Sequence, residues 1–294
     1  MKAPLRGVFA AIATPVTAER KPDISRFLKL ARHLLDTGCD GLNVLGTTGE
    51  ATSFSRAQRM EVMLAAARTL DPSRLMVGTG AASLDDAVAL TRFAGELGFG
   101  AALVLPPFYY KGVGDDGVIA YIEALVAGSA AAPAPIFLYH YPALSGVPYT
   151  PELVARLIER FPDRVTGLKD SSGDLAYERA LATRHRGFAV FPANEATLLE
   201  GRGGLFAGCI SATANLNADL CARAWRDGDA AALDTAMRIR KLFDGKPLVA
   251  GVKAGLAALH DDPALGAPMP PLTAWSEADA AALARDMAAA RAHG

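Results

Sequence analysis

Cysteine is scarce in this chain of 294 residues, and the three present, Cys39, Cys209 and Cys221, are far apart and set among apolar neighbours. An odd, scattered set excludes a disulfide framework or a cysteine metal cluster, and reduced core thiols of a cytoplasmic protein are expected. Net charge is also lacking: the formal value is −1, and no run of lysine or arginine forms a patch, so nothing offers a basic field to nucleic acid. Although 51% of the residues are hydrophobic, glycine and alanine interrupt the richest stretches. No run reaches the length of a membrane span, and no membrane partner is expected. The stretch from Met1 to Arg6, ahead of the first expected strand, is too short for a signal peptide. His33, His140, His185, His260 and His293 are scattered, with only one near an expected strand end. A metal centre needs clustered ligands, so no metal is expected. No Gly-x-Ser-x-Gly elbow points to a serine hydrolase, and no Gly-x-Gly-x-x-Gly follows the first strand.

What the chain does have is alternation. Short apolar runs at 8–13, 41–45, 75–78, 101–105, 136–141, 165–169, 188–191 and 205–211 read as strands buried on both faces, as parallel strands must be. Helical patterns separate them. Asp23 or Ser25 can cap a helix carrying Phe27, Leu30, Ala31, Leu34 and Leu35, which Gly38 ends. Ser55 opens a helix that Asp71-Pro72 stops, Ser83 caps the next, and Thr150-Pro151 is a cap followed by a first-turn proline. Further helices are expected at 115–127, 174–184, 194–200 and 218–226. Eight strand–helix units over this length fit an α/β fold of the (β/α)8 TIM barrel type. A doubly wound open sheet is the alternative, and it lacks its dinucleotide fingerprint here. After residue 229 the strands stop, and 230–243, 248–259 and 277–292 read as a C-terminal three-helix appendage, with a proline-rich segment at 263–271. The expected division is a barrel over 1–229 that carries the active site and a C-terminal helical domain over 230–294.

In a barrel the loops after the strand C-termini share one face, where active sites sit. Lys169 ends the apolar strand of the stretch Thr166-Gly-Leu-Lys-Asp-Ser-Ser-Gly-Asp174. Desolvation disfavours the ammonium form of such a lysine and leaves an amine able to attack a carbonyl. The ordinary alternative is a lysine that reaches solvent or pairs with Asp170. Gly46-Thr-Thr-Gly-Glu50 follows the second strand, and its hydroxyls and closely spaced N–H groups suit a carboxylate or phosphate oxygen. Tyr109 and Tyr110 follow the fourth strand, and Tyr139 and Tyr141 end the fifth. A phenol beside an amine can shuttle protons, although rim tyrosines are more often core rings. Strand alternation turns His140 away from Tyr139 and Tyr141. Pyridoxal phosphate would also use a lysine, but neither a phosphate cup nor a partner for the ring nitrogen can be named, and no cofactor is expected. A lysine, tyrosines and a hydroxyl-lined anion site suit a 2-oxo acid held as an imine.

Gly46-Thr-Thr-Gly-Glu50, Tyr139-x-x-Pro142 and Gly167-Leu-Lys-Asp170, in this order and at these separations, resemble the dihydrodipicolinate synthase / N-acetylneuraminate lyase family of pyruvate-handling class I aldolases. Ala13-Thr-Pro15, Gly78-Thr-Gly80 and Gly208-Cys-Ile-Ser-Ala-Thr-Ala-Asn215 support the resemblance, which covers nearly the whole chain. It implies that Lys169 forms the Schiff base and that Tyr139 shuttles protons. It further implies that Gly46, Thr47 and Thr48 form the carboxylate site, with Thr47 linking the tyrosines, and that Ile210 lines the pyruvate pocket. Tyr109 matches a catalytic tyrosine that relays protons and, in tetrameric members, reaches a neighbouring subunit's site, so a homotetramer built as a dimer of dimers is implied. Family synthases place an arginine where this chain has Leu144, and an isobutyl group cannot replace a bidentate clamp on a distal carboxylate. The expectation is therefore a carbon–carbon lyase joining or splitting pyruvate and an aldehyde, with 2-keto-3-deoxy sugar acids as one substrate class. A dihydrodipicolinate synthase, a dehydratase using the same imine, and a non-catalytic 2-oxo acid binding protein stand as alternatives.

Overall fold

In the computed structural model, which describes residues 4–292, the apolar runs become eight strands. They are β1 (Gly7–Ala11), β2 (Gly41–Val44), β3 (Leu75–Gly78), β4 (Ala101–Val104), β5 (Ile136–His140), β6 (Val165–Asp170), β7 (Ala189–Pro192) and β8 (Gly208–Ser211). Residues 1–3 of the N-terminal stretch, and His293, lie outside the described residues. Every pairing is parallel, and the hydrogen-bonded order β7-β6-β5-β4-β3-β2-β1-β8 rolls the sheet until its ends meet. There Ala207 N donates to Val190 O at 2.9 Å. The fold is a nearly closed (β/α)8 TIM barrel with helices appended at its C-terminal end.

Alternation along each strand divides the core. Phe9, Met76, Leu103, Phe137, Phe191 and Ile210 point inward and fill the barrel, with the Phe191 ring edge-on to Phe9 at 5.5 Å. Their neighbours, such as Val8, Leu42, Val44 and Val77, pack outward beneath the helices. Those helices are α1 (Ile24–Thr37), α2 (Arg56–Thr69), α3 (Leu84–Glu96), α4 (Asp115–Gly128), the single turn α5 (Pro142–Ser145), α6 (Pro151–Arg160), α7 (Leu175–Arg184), α8 (Leu198–Arg202) and α9 (Ala214–Asp227). Asp23, Ser55, Ser83 and Thr150 all cap as expected, each side chain accepting from a first-turn N–H.

The C-terminal helices are α10 (Ala230–Lys241), α11 (Leu248–His260) and α12 (Glu277–Ala292). They continue the barrel's outer core: Leu216 and Ala218 of α9 belong to one buried cluster with Leu233, Ile239, Val252, Leu256, Leu283 and Met287. The three cysteines are free and buried, and burial pushes the Cys39 thiol up to about 12. Among the described residues no helix is long and apolar enough to cross a membrane.

Differences from expectation are local. β1 stops two residues early because Ala13 N donates to Asn215 Oδ1 at 3.1 Å instead of a neighbouring strand. The helix expected at 218–226 begins at Ala214 and is kinked at Asn217, whose amide Nδ2 reaches Ala236 O at 3.3 Å. The expected helix at 194–200 is a 3-10 turn, Glu195–Thr197, running into α8.

Candidate active site

Register in the sheet sets the site. Tyr139 and Lys169 are directly paired across β5 and β6, and both point inward above the aromatic ring of the barrel core. Lys169 is 3% exposed. Its Nζ lies 3.4 Å from Tyr139 Oη and 4.4 Å from the centre of the Tyr139 ring. Tyr139 Oη is 3.1 Å from Thr47 Oγ1, so an amine, a phenol and an alcohol form one chain. Such a chain can pass a proton along hydroxyls while the amine attacks a carbonyl.

The alternative for Lys169 fails on geometry. Asp170 turns outward, where one carboxylate oxygen accepts from Ser172 N at 3.1 Å, Ser172 Oγ at 2.8 Å and Gly173 N at 3.3 Å. The other lies 3.8 Å from His140 Nε2. His140 sits outside the barrel, stacked on Tyr177 at 4.6 Å and accepting from Tyr149 N at Nδ1, as alternation requires. Burial lowers its pKa, partly countered by Asp170.

Thr47 comes from the turn after β2, bracketed by two left-handed residues, Leu45 at φ 52° and Glu50 at φ 53°. Each such non-glycine residue costs about 1–3 kcal/mol and persists only where its surroundings impose it. Glu50 N donates to Thr47 O at 3.0 Å, Ala51 N to Gly46 O at 3.3 Å, and Thr14 Oγ1 to Gly49 O at 2.9 Å. Glycine is required at position 78 on the neighbouring strand, since a Cβ there would stand 2.0 Å from Leu45 O. These contacts hold the turn from the barrel side.

Two adjoining cavities open at this end of the barrel. The larger, about 420 Å³, is lined by Thr47, Thr48, Tyr139, Tyr141, Lys169, Ser171, Ile210 and Leu144, among others. The smaller, about 240 Å³, shares Thr47, Tyr139, Tyr141 and Leu144 and adds Gly46 with the apolar side chains of Leu45, Leu103, Leu105 and Phe108. Thus Lys169, Tyr139, Thr47, Thr48, Gly46, Ile210 and Leu144 converge. Tyr109 does not: it is 73% exposed, edge-on to Tyr110 at 5.5 Å, and lines neither cavity.

Residues outside the barrel strands, with little signal in the sequence, also reach the site. Arg240 of α10 lines the larger cavity and pairs through Nη1 with Glu195 Oε2 at 2.9 Å. Glu195, fully buried, also accepts from Ser211 Oγ at 2.8 Å and from Thr213 Oγ1. Lys253 of α11 forms a buried ion pair with Glu50. The only sequence signal for Lys253 was one charge in the apolar run 248–259. Among the described residues no group of three or more histidine, cysteine, aspartate or glutamate side chains could hold a metal ion.

Comparison with known proteins shows the family of the chain. The family model described as the dihydrodipicolinate synthetase family matches residues 4–290. The chain is 35% identical over 280 residues to an uncharacterized DapA-like lyase of Chloroflexus aurantiacus, covering 91% of this chain and 92% of that one. It superposes on the crystal structure of dihydrodipicolinate synthase from Agrobacterium tumefaciens with a TM-score of 0.87, at 30% identity, covering 96% of this chain and 98% of that one. It also superposes on YagE, a prophage protein of E. coli in the dihydrodipicolinic acid synthase family solved with pyruvate. That match has a TM-score of 0.89 at 25% identity and covers 98% of this chain and 99% of that one.

Proposed function

This chain belongs to the dihydrodipicolinate synthetase family, and from that premise we propose how its residues make or break a carbon–carbon bond between pyruvate and an aldehyde. It is a lyase of the class I aldolase type. The observation that carries the proposal is the chain Lys169 Nζ, Tyr139 Oη, Thr47 Oγ1, at 3.4 and 3.1 Å, on the wall of one cavity.

Lys169 Nζ adds to C2 of pyruvate and forms a carbinolamine. Tyr139 delivers a proton to the departing oxygen, which leaves as water, and an imine remains. The phenolate left on Tyr139 takes a proton from C3, which gives an enamine and restores the phenol, and C3 of the enamine attacks the aldehyde carbon. Tyr139 protonates the new alkoxide, and water returns the product and the free amine. Cleavage is the same path reversed. The imine is the electron sink, so the chemistry needs no added cofactor. Thr47 and Thr48 hold the pyruvate carboxylate beside Gly46, and Ile210 packs against its methyl group. Tyr109, too exposed to serve its own site, acts at the site of a neighbouring copy in a cytoplasmic homotetramer.

The aldehyde carries no carboxylate that needs a guanidinium. Leu144 stands at the mouth of both cavities, and Arg240 is already engaged by the buried Glu195. A hydroxylated chain, such as that released from a 2-keto-3-deoxy sugar acid, finds Thr52, Tyr141 and Ser171 on the cavity wall. Pyruvate with borohydride tests the reading: reduction should fix a pyruvate-derived mass on the protein. An unchanged mass would favour a non-catalytic binding protein.

A further inference from the structure

Two buried charges take no part in the chemistry above. Glu50 closes the turn that carries Thr47 and Thr48 and is 3% exposed. Lys253 sits in the middle of α11, among apolar residues, and is fully buried. Their side chains form an ion pair closed off from solvent. Glu50 Oε1 also accepts from Met269 N at 2.6 Å, and Lys253 Nζ donates to Ala267 O at 2.8 Å. The pair therefore fastens three pieces of chain, and Glu50 itself faces the larger cavity.

Ion pairs this deep add little net stability, because removing both charges from water offsets their attraction; apolar replacements often serve as well. An apolar pair cannot fix direction, though, and direction is what this turn needs. Leu45 and Glu50 are both left-handed, so the hydroxyls between them stay in place only if both ends are held. Gly78 and Thr14 hold the barrel side. Lys253 holds the other.

We propose that Glu50 and Lys253 are positioning residues for the carboxylate of the 2-oxo acid, and that through them the C-terminal helices form a working part of the site. This rests on the pyruvate reading. It concerns Thr47 and Thr48 and not the nucleophile, so removal of the pair raises the pyruvate concentration needed without abolishing imine formation.

The test is borohydride labelling of the full chain across a pyruvate series. Single replacements strand a buried charge, so the informative variant is the double replacement E50Q/K253M. Its half-saturating pyruvate concentration should rise about tenfold or more, with plateau labelling near that of the wild type. Glu50→Asp keeps both charges, draws the carboxylate back by one methylene, and should move half-saturation the same way if the double variant fails to fold. A control, D219N/R291M, removes the ion pair of Arg291 and Asp219 between α12 and α9. It should leave half-saturation unchanged whatever it does to melting. Wild-type half-saturation in a folded E50Q/K253M or Glu50→Asp protein would overturn the proposal and leave the pyruvate reading standing. Absence of labelling in the wild type would remove the reading and the proposal together.

Discussion

At the scale of single residues, the account assigns nucleophile and proton carrier to adjacent strand positions, and their replacements should behave differently. Lys169→Ala should keep a cooperative melt and lose both turnover and labelling by pyruvate. Tyr139→Phe should keep the amine and lose turnover by about 10²–10⁴-fold, the usual span for one proton-transfer group. Steady-state rates beside thermal melts check both. Leu144→Arg should gain activity toward aspartate semialdehyde by roughly 10–100-fold in kcat/KM, as a charge-assisted contact of about 1.5–3 kcal/mol implies. No gain would mean that the second substrate's carboxylate does not reach this position. The strand-end residues were legible because Lys169 and Tyr139 close apolar strands inside shared family motifs and alternation turns His140 away from Tyr139, whereas the outward turn of Asp170 needed the register of the sheet. Arg240 and Lys253 were not, because they lie on helices whose approach to the site depends on packing far away in the chain.

At the scale of elements, the short apolar runs and their caps foretold the barrel because buried parallel strands have no polar face to disguise them. The kink at Asn217 and the one-turn helix α5 escaped notice. The first follows from a bond to Ala236 on another helix, and the second is only four residues long. The contact between β6 and α7 carries a pH prediction. Glu178 of α7 is 4% exposed and packed against Asp170, with Asp174 and Glu200 near it and His140 beyond Asp170. Burial first, and Asp170 next, push its carboxyl up to about 9 from an ordinary value of 4.5. The folded chain thus keeps a proton that the unfolded chain gives up. The stabilisation is complete below the unfolded value and is lost as pH rises toward 9. Glu178→Gln should therefore flatten the fall in melting temperature between pH 5 and pH 9, on the order of that window. A fall as steep as in the wild type would mean that this carboxyl is ionised in the folded protein.

At the scale of the whole molecule, the barrel and the C-terminal helices share one apolar cluster and one active-site wall. Tyr109 and Tyr110 are 73% and 70% exposed, close along the chain to Phe108 on the cavity wall. In the proposed homotetramer a neighbouring copy would cover this pair. The reading expects a species of four chains by sedimentation, and Tyr109→Phe should slow turnover without moving the melting temperature. A fully active single-chain species would refute the role given to Tyr109.

The central claim is a covalent bond from one buried amine, and a crystal structure of the protein soaked in pyruvate measures it directly. The account predicts continuous density from Lys169 Nζ to C2 of the ligand, with the carboxylate against Thr47 and Thr48. A ligand lying in the cavity unbonded, with Lys169 turned away from it, would contradict the account.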